Sequence, residues 1–138
     1  MRLTEREARR RFAAAPVARL ATVGPANIPH LVPVTFAVDG DLVVFAVDAK
    51  PKTTTDLRRL RNIAANPNVS LLVDHYDDDW TRLWWVRADG AAMVLHEEVA
   101  TREPLRALRE KYRQYAERPP DGPVVRTLVT TWRGWAAT

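Results

Sequence analysis

Two strand-like runs lie within Ile28-Pro-His-Leu-Val-Pro-Val-Thr-Phe-Ala-Val-Asp-Gly-Asp-Leu-Val-Val-Phe-Ala-Val47. Asp39-Gly40 between them is a turn signal, so the pattern predicts a hairpin built from residues 28–38 and 41–47. Pro29 and Pro33 cannot donate backbone hydrogen bonds, which favours a strand at a sheet edge, at a bulge or shared between two sheets. A small closed barrel with bent strands accommodates such a run better than a flat sheet.

The strand-like pattern continues on both sides of this hairpin. Residues 17–23, 69–73, 80–96 and 124–132 read as further strands, the third of them broken near Asp89-Gly90. Helices are predicted from Thr4 to before Pro16, from about Thr53 to Asn66, and over residues 103–117. We therefore expect one domain, residues 1–138, that is mainly β with peripheral helices.

The composition excludes several classes of protein. The formal charge of +4 is too modest to indicate a nucleic-acid binder, and no apolar run is long enough to span a membrane. The absence of cysteine and of an apolar leader favours a cytoplasmic protein. His30, His75 and His96 are too scattered to suggest a metal site, and no Rossmann or P-loop glycine motif is present.

The segment after the hairpin carries the strongest functional signal. Lys50 and Lys52 flank Pro51, and Thr53 opens the predicted helix, whose flank carries Arg58 and Arg61. A helix N-terminus beside basic side chains favours phosphate, because free N–H groups and the helix dipole both attract anions. The residue types alone leave a second interpretation open, in which this is a solvated basic loop followed by a charged outer helix face.

Neighbouring tryptophans offer a further candidate surface. Trp84 and Trp85 must point to opposite faces of a strand, so one of them faces a partner subunit, a ligand or a helix.

Several residue combinations resemble one protein family over nearly the whole chain. They are Lys50-Pro-Lys-Thr, the run from Leu57 to Pro67, Asp74-His-Tyr, Asp79-Trp-x-x-Leu-Trp-Trp-Val-Arg87 and Thr131-Trp-Arg-Gly-Trp135. They are similar to the deazaflavin (coenzyme F420)-dependent branch of the pyridoxamine 5'-phosphate oxidase-like, flavin-binding split-barrel superfamily. The resemblance implies a six-stranded antiparallel split β-barrel of the FMN-binding type. It also implies a homodimer with its cofactor sites at the subunit interface.

The resemblance also nominates site residues. Those expected to line the coenzyme ring and its chain are His30, Val32, Val34, Ala46 and Val47. Those expected to hold the phosphate and the anionic tail are Lys50, Lys52, Thr53 and Arg58. Trp80 and Trp84 are expected to close the site, and no catalytic acid or base is nominated.

The implied activity is that of an F420-dependent oxidoreductase. Hydride would pass between the reduced deazaflavin and a conjugated small molecule, and the protein would bind and orient the two. FMN-dependent relatives often carry Arg where this chain has His30, which favours the deazaflavin. Two alternatives remain: an FMN-dependent oxidoreductase, or a non-catalytic protein that binds the cofactor or a tetrapyrrole.

Overall fold

A computed structural model describes residues 1–47 and 57–138 of the chain. The helices are α1 (Glu5–Ala14), α2 (Arg58–Ala65), α3 (Glu98–Lys111) and α4 (Arg113–Glu117). The strands are β1 (Ala18–Val23), β2 (Pro29–Val34), β3 (Ala37–Asp39), β4 (Leu42–Ala46), β5 (Asn68–His75), β6 (Trp84–Leu95) and β7 (Val124–Ala136). A one-turn 3-10 helix covers Trp80–Arg82. No helix in this part of the chain is both long and apolar enough to cross a bilayer.

The described strands form one antiparallel sheet in the order β2-β1-β5-β6-β7-β4-β3. Residues 1–47 and 57–138 thus contain seven strands in one open sheet, whereas the family resemblance implied a six-stranded barrel. The difference lies in residues 28–38, which form β2 and β3 rather than one strand. Pro33 in β2 accords with the predicted edge position, because β2 pairs only with β1.

The two outer strands of the sheet are consecutive in sequence. Only Thr35 and Phe36 separate Val34, the last residue of β2, from Ala37, the first of β3. Three peptide steps span at most about 11 Å, so the edges of the sheet approach each other at this corner. The sheet is therefore strongly curved, while its backbone ladder stays open between β2 and β3.

The concave face of the curved sheet encloses the main core. Side chains from β1, β2, β4, β5, β6 and β7 meet there, and α1 covers one end through Ala8 and Phe12. The predicted helix start at Thr4 is confirmed, because Thr4 Oγ1 caps α1 by accepting a hydrogen bond from the Glu7 N–H. The Glu7 carboxylate does not reach back to the cap. It pairs instead with Arg10 and Arg11.

Two further elements are interrupted at places that differ from the prediction. The predicted break near Asp89-Gly90 is a bulge inside one continuous strand, β6, because the ladder to β7 resumes after a register shift. The predicted helix over residues 103–117 is instead two helices, α3 and α4, which meet at Tyr112. Leu108, Tyr112 and Tyr115 of this segment pack in a second apolar cluster against β3 and β4.

Candidate functional site

The open side of the sheet presents two backbone edges that lack strand partners. β2 uses one edge to pair with β1, and nothing in the described chain pairs with the other. β3 covers β4 only as far as Val44, so Phe45 and Ala46 pair with β7 alone. Such edges carry free N–H and C=O groups that need partners when they are covered. These are two unpaired edges of the described sheet, and the space between β2 and the end of β4 is called the cleft.

The three candidate residues on β2 share one face of that strand. Val34 belongs to the main core, Val32 packs against it, and His30 lies opposite Thr22 of β1. The Nδ1 atom of His30 is buried, yet it has no hydrogen-bond partner among the residues that the structure describes. A buried polar atom of this kind indicates a missing partner, and a bound ligand is one way of supplying it.

The two candidates at the end of β4 are Ala46, its last residue, and Val47, which follows it, and their side chains point to opposite faces. Val47 joins the main core together with Val34. Ala46 faces the other way and packs on the cluster formed with α3. Their backbones share the edge of the cleft, but their side chains do not share one surface.

A polar corner lies at the far end of β2. Asn62 of α2 is buried, and its Nδ2 donates to Thr22 Oγ1 across 3.0 Å, beside His30 in the next strand. Gly24 lies so close to Asn62 that an added Cβ would clash with its Oδ1 atom. This glycine is therefore needed for close packing, which seats α2 against the β1–β2 turn.

Basic side chains border this corner. Arg58 and Arg61 line a depression of about 420 Å³ together with Pro25 and Asn62. Arg59 is half-buried, and desolvation by burial lowers the pKa of its guanidinium. The N-terminal half of α2 therefore offers cations that could receive an anionic group.

Other candidates fall outside the described residues. Lys50, Lys52 and Thr53 lie in the 48–56 segment, as does the predicted cap at Thr53 and Asp56. That segment leaves β4 after Val47 and rejoins the described chain at Leu57, next to Arg58. The described residues on either side of this basic segment thus belong to the end of β4 and the start of α2.

A large cavity of about 750 Å³ lies on the convex face of the sheet. Its lining is mainly apolar and includes Leu31, Leu72 and the tryptophans 84, 85 and 135. Trp84 also stacks on the His75 ring at a centroid distance of 6.3 Å. Trp80 is 71% exposed on the 3-10 helix and does not line this cavity, whereas Trp84 does.

Trp84 was among the residues predicted for the site, whereas Leu31 and Leu72 were not. A signal was available, because alternation places both side chains opposite the buried residues of their strands. Arg19 also lines this cavity, and the Arg87 side chain there is paired with Asp89 at 3.0 Å. Within residues 1–47 and 57–138, no three acidic or histidine side chains form a group that could hold a metal ion.

Comparison with known proteins identifies the family and the fold. A family model described as Pyridoxamine 5'-phosphate oxidase matches residues 4–136. The fold is similar to that of an FAD-binding protein from Mesorhizobium loti, with a TM-score of 0.75, 19% identity and coverage of 97% of this chain and 95% of that one. It is also similar to a conserved hypothetical protein from Mycobacterium tuberculosis, with a TM-score of 0.78, 22% identity and coverage of 98% and 86%.

A third solved structure with this fold has a different described role. The haem storage protein HutZ from Vibrio cholerae matches with a TM-score of 0.71 and 14% identity, over 95% of this chain and 90% of that one. No curated protein matches the sequence.

Proposed function

Because the chain belongs to the pyridoxamine 5'-phosphate oxidase family, we propose that it binds coenzyme F420 in the cleft between β2 and β4 and acts as an F420-dependent oxidoreductase. The observation that carries the proposal is the buried Nδ1 of His30, which finds no hydrogen-bond partner within residues 1–47 and 57–138 and lies on β2, whose outer edge is unpaired in that part of the chain. A flat heterocycle with hydrogen-bonding edges fits this position, because it offers partners both to a strand edge and to an imidazole.

The described residues fit the proposed coenzyme in three respects. Unpaired N–H and C=O groups of β2 and β4 suit the polar edge of its ring. Val32 and Val34 supply apolar surface along β2, next to His30. Arg58 lies directly after the segment that contains Lys50, Lys52 and Thr53, and these four residues are proposed to hold the phosphate and the acidic tail.

The preference for the deazaflavin over FMN rests on charge. Coenzyme F420 carries a phosphate and a polyglutamate tail and is therefore more anionic than FMN. Arg58 lines the depression beside α2 and adds its positive charge to those of Lys50 and Lys52. His30 also replaces the arginine that FMN-dependent relatives often carry at this position.

When bound, the coenzyme supplies hydride chemistry towards a conjugated substrate. The chain's own residues have simpler tasks. His30 Nδ1 makes a hydrogen bond to the ring, the edges of β2 and β4 fix its orientation, and the basic residues neutralise its anionic end. No described side chain is assigned as a proton donor.

We further propose that the protein is a homodimer built on the convex face of the sheet. Leu31 is 67% exposed there, and Leu72 and Trp135 also remain accessible around the large cavity. The same face carries both Arg19 and Asp74. A two-fold interface must be complementary to itself, and a face that bears both signs of charge meets that requirement. Burial of this face also removes apolar surface from water.

Substitution of the basic segment tests the assignment of the anionic end. We expect Lys50→Ala or Lys52→Ala to weaken F420 binding by about 1.5–3 kcal/mol, the typical contribution of a charge-assisted contact. Arg102→Ala removes the same charge from the exposed surface of α3 and should leave binding unchanged. Fluorescence titration measures all three variants. Equal affinity of wild type, Lys50→Ala and Lys52→Ala would remove the basis for this assignment.

Two alternatives make different spectroscopic predictions. An FMN-dependent enzyme would be purified as a yellow protein with flavin absorbance. A non-catalytic tetrapyrrole carrier, which the fold shared with HutZ leaves open, would give a Soret band on titration with haemin and no turnover with enones or quinones. The proposal expects neither result.

A further inference from the structure

The corner between β2 and β3 is held by a helical segment far away in sequence. Thr35 and Phe36 form this corner, and the Phe36 side chain is fully buried. Tyr115 Oη lies 2.7 Å from Thr35 Oγ1, a hydrogen bond between residues 80 positions apart. The Phe36 N–H donates to Tyr112 Oη over 3.0 Å. Two neighbouring tyrosines of the α3–α4 segment therefore bind two successive residues of the corner.

The same segment also contacts the turn between α1 and β1. Tyr112 Oη donates to the Pro16 carbonyl at 2.7 Å, so this hydroxyl both donates and accepts. Lys111 Nζ donates to the Ala15 carbonyl at 2.7 Å and lies 3.7 Å from the centre of the Phe36 ring. Side-chain contacts therefore link the corner between β2 and β3 to the α3–α4 segment, and link that segment in turn to the turn between α1 and β1.

These contacts occupy the place where the backbone ladder is missing. In the described chain, no strand hydrogen bonds join β2 to β3 or β4, so the ladder does not set the width of the cleft. Tyr115 and Tyr112 reach Thr35 and Phe36 on the β2 side, and they pack on the cluster that contains Val44 on the β4 side. The α3–α4 segment therefore contacts both the β2 side and the β4 side of the cleft.

We propose that Tyr112 and Tyr115 are positioning residues for the coenzyme, because they set the separation between the free edges of β2 and β4. This inference rests on the proposed function, in which the ring lies between those edges. Neither tyrosine needs to touch the coenzyme. Their hydroxyls act by holding Thr35 and Phe36, and through them the strand that carries His30.

The test removes single hydroxyl groups and measures binding and local exchange. Tyr115→Phe and Thr35→Val should each raise the Kd for F420 roughly 3- to 10-fold, the range that corresponds to one neutral hydrogen bond. The double variant should bind no worse than either single one, because both remove the same bond. Tyr112→Phe, which loses two bonds, should have a larger effect.

Hydrogen exchange of the protein without coenzyme provides a readout that does not involve activity. In Tyr115→Phe, peptides covering residues 29–36 should exchange faster, whereas those covering β5 and β6 should be unchanged. Tyr76→Phe is the matched control, because Tyr76 is 74% exposed. Leu71→Val, a change in the main core away from the corner, controls for a general loss of stability.

The outcomes separate this inference from the proposed function. If wild type binds F420 while Tyr115→Phe leaves both the Kd and the exchange of residues 29–36 unaltered, the positioning role is wrong and the proposed function stands. A Leu71→Val variant of equal stability that raises the Kd as much would also overturn the positioning role. If wild type binds neither F420 nor FMN, the positioning role and the proposed function are both wrong.

Discussion

Lys111 places a positive charge against two aromatic rings. Its Nζ lies 3.7 Å from the centre of the Phe36 ring and 5.2 Å from that of Tyr112. Desolvation by burial lowers the pKa of this ammonium from 10.5 to about 8. Below pH 8 the amine is charged in the folded and the unfolded protein, so its burial costs stability. Between pH 8 and 10.5 the folded protein has released the proton and the unfolded chain still holds it, so stability rises with pH.

The variant Lys111→Met should lack this dependence on pH. We expect the free energy of unfolding of wild type, measured in urea, to rise from pH 7.5 to pH 9.5 relative to that of the variant. Groups that titrate in both proteins cancel in this difference. The interval stays below pH 10 because burial raises the pKa of Tyr112, which would reduce stability at higher pH. If the free energies of unfolding of wild type and Lys111→Met change equally with pH, the lowered pKa assigned to Lys111 is wrong.

Individual residues also mark the limit of inference from sequence. The family resemblance nominated Val32 and Val34, and the alternation of β2 places both side chains on the face that packs against the main core. The bond between Thr35 and Tyr115 spans 80 positions, and no local periodicity reports a contact at that distance. Nor could residue types reveal that His30 Nδ1 is buried with no hydrogen-bond partner in the part of the chain that the structure describes, because burial depends on how distant strands assemble.

Among the elements, α1 depends on charges within its own first turns. Arg10 and Arg11 donate to the Glu7 carboxylate, and these hydrogen bonds lower its pKa from 4.5 to about 2. The stabilisation is present above pH 4.5 and is lost as the pH falls towards 2. It is small, because the group is exposed and screened by salt.

We therefore expect Glu7→Gln to reduce the stability difference between pH 6 and pH 3. The unfolding midpoint of wild type should fall more than that of the variant over this interval, and the gap should narrow at 1 M salt. Glu98→Gln in the first turn of α3 serves as the control. An equal fall for wild type and Glu7→Gln would show that the ion pairs of α1 contribute nothing.

The helices and strands predicted best are those whose ends are determined by residues close in sequence. The hairpin at Asp39-Gly40 was predicted correctly, because Gly40 adopts a positive φ of 61° that the turn requires. The split of residues 28–38 into two strands on opposite edges of the sheet was not predicted. Both pieces share one apolar alternation, and only the curvature of the assembled sheet places them apart.

At the scale of the whole molecule, the convex face should join two copies of the chain. Leu31→Glu places a charge in the middle of this face and should convert a dimer into a monomer, as measured by light scattering after gel filtration. Val99→Glu is the control, because Val99 is similarly exposed, at 74% against 67%, but lies on α3. A monomeric wild type, or a dimeric Leu31→Glu, would contradict the proposed interface.

The central claim is that the cleft between β2 and β4, with basic residues at its end, binds a deazaflavin. The most direct test is a parallel titration of the purified protein with F420 and FMN at the same ionic strength. We predict a Kd for F420 at least about tenfold lower than that for FMN, a difference of about 1.4 kcal/mol. Equal affinities, or tighter binding of FMN, would contradict the claim.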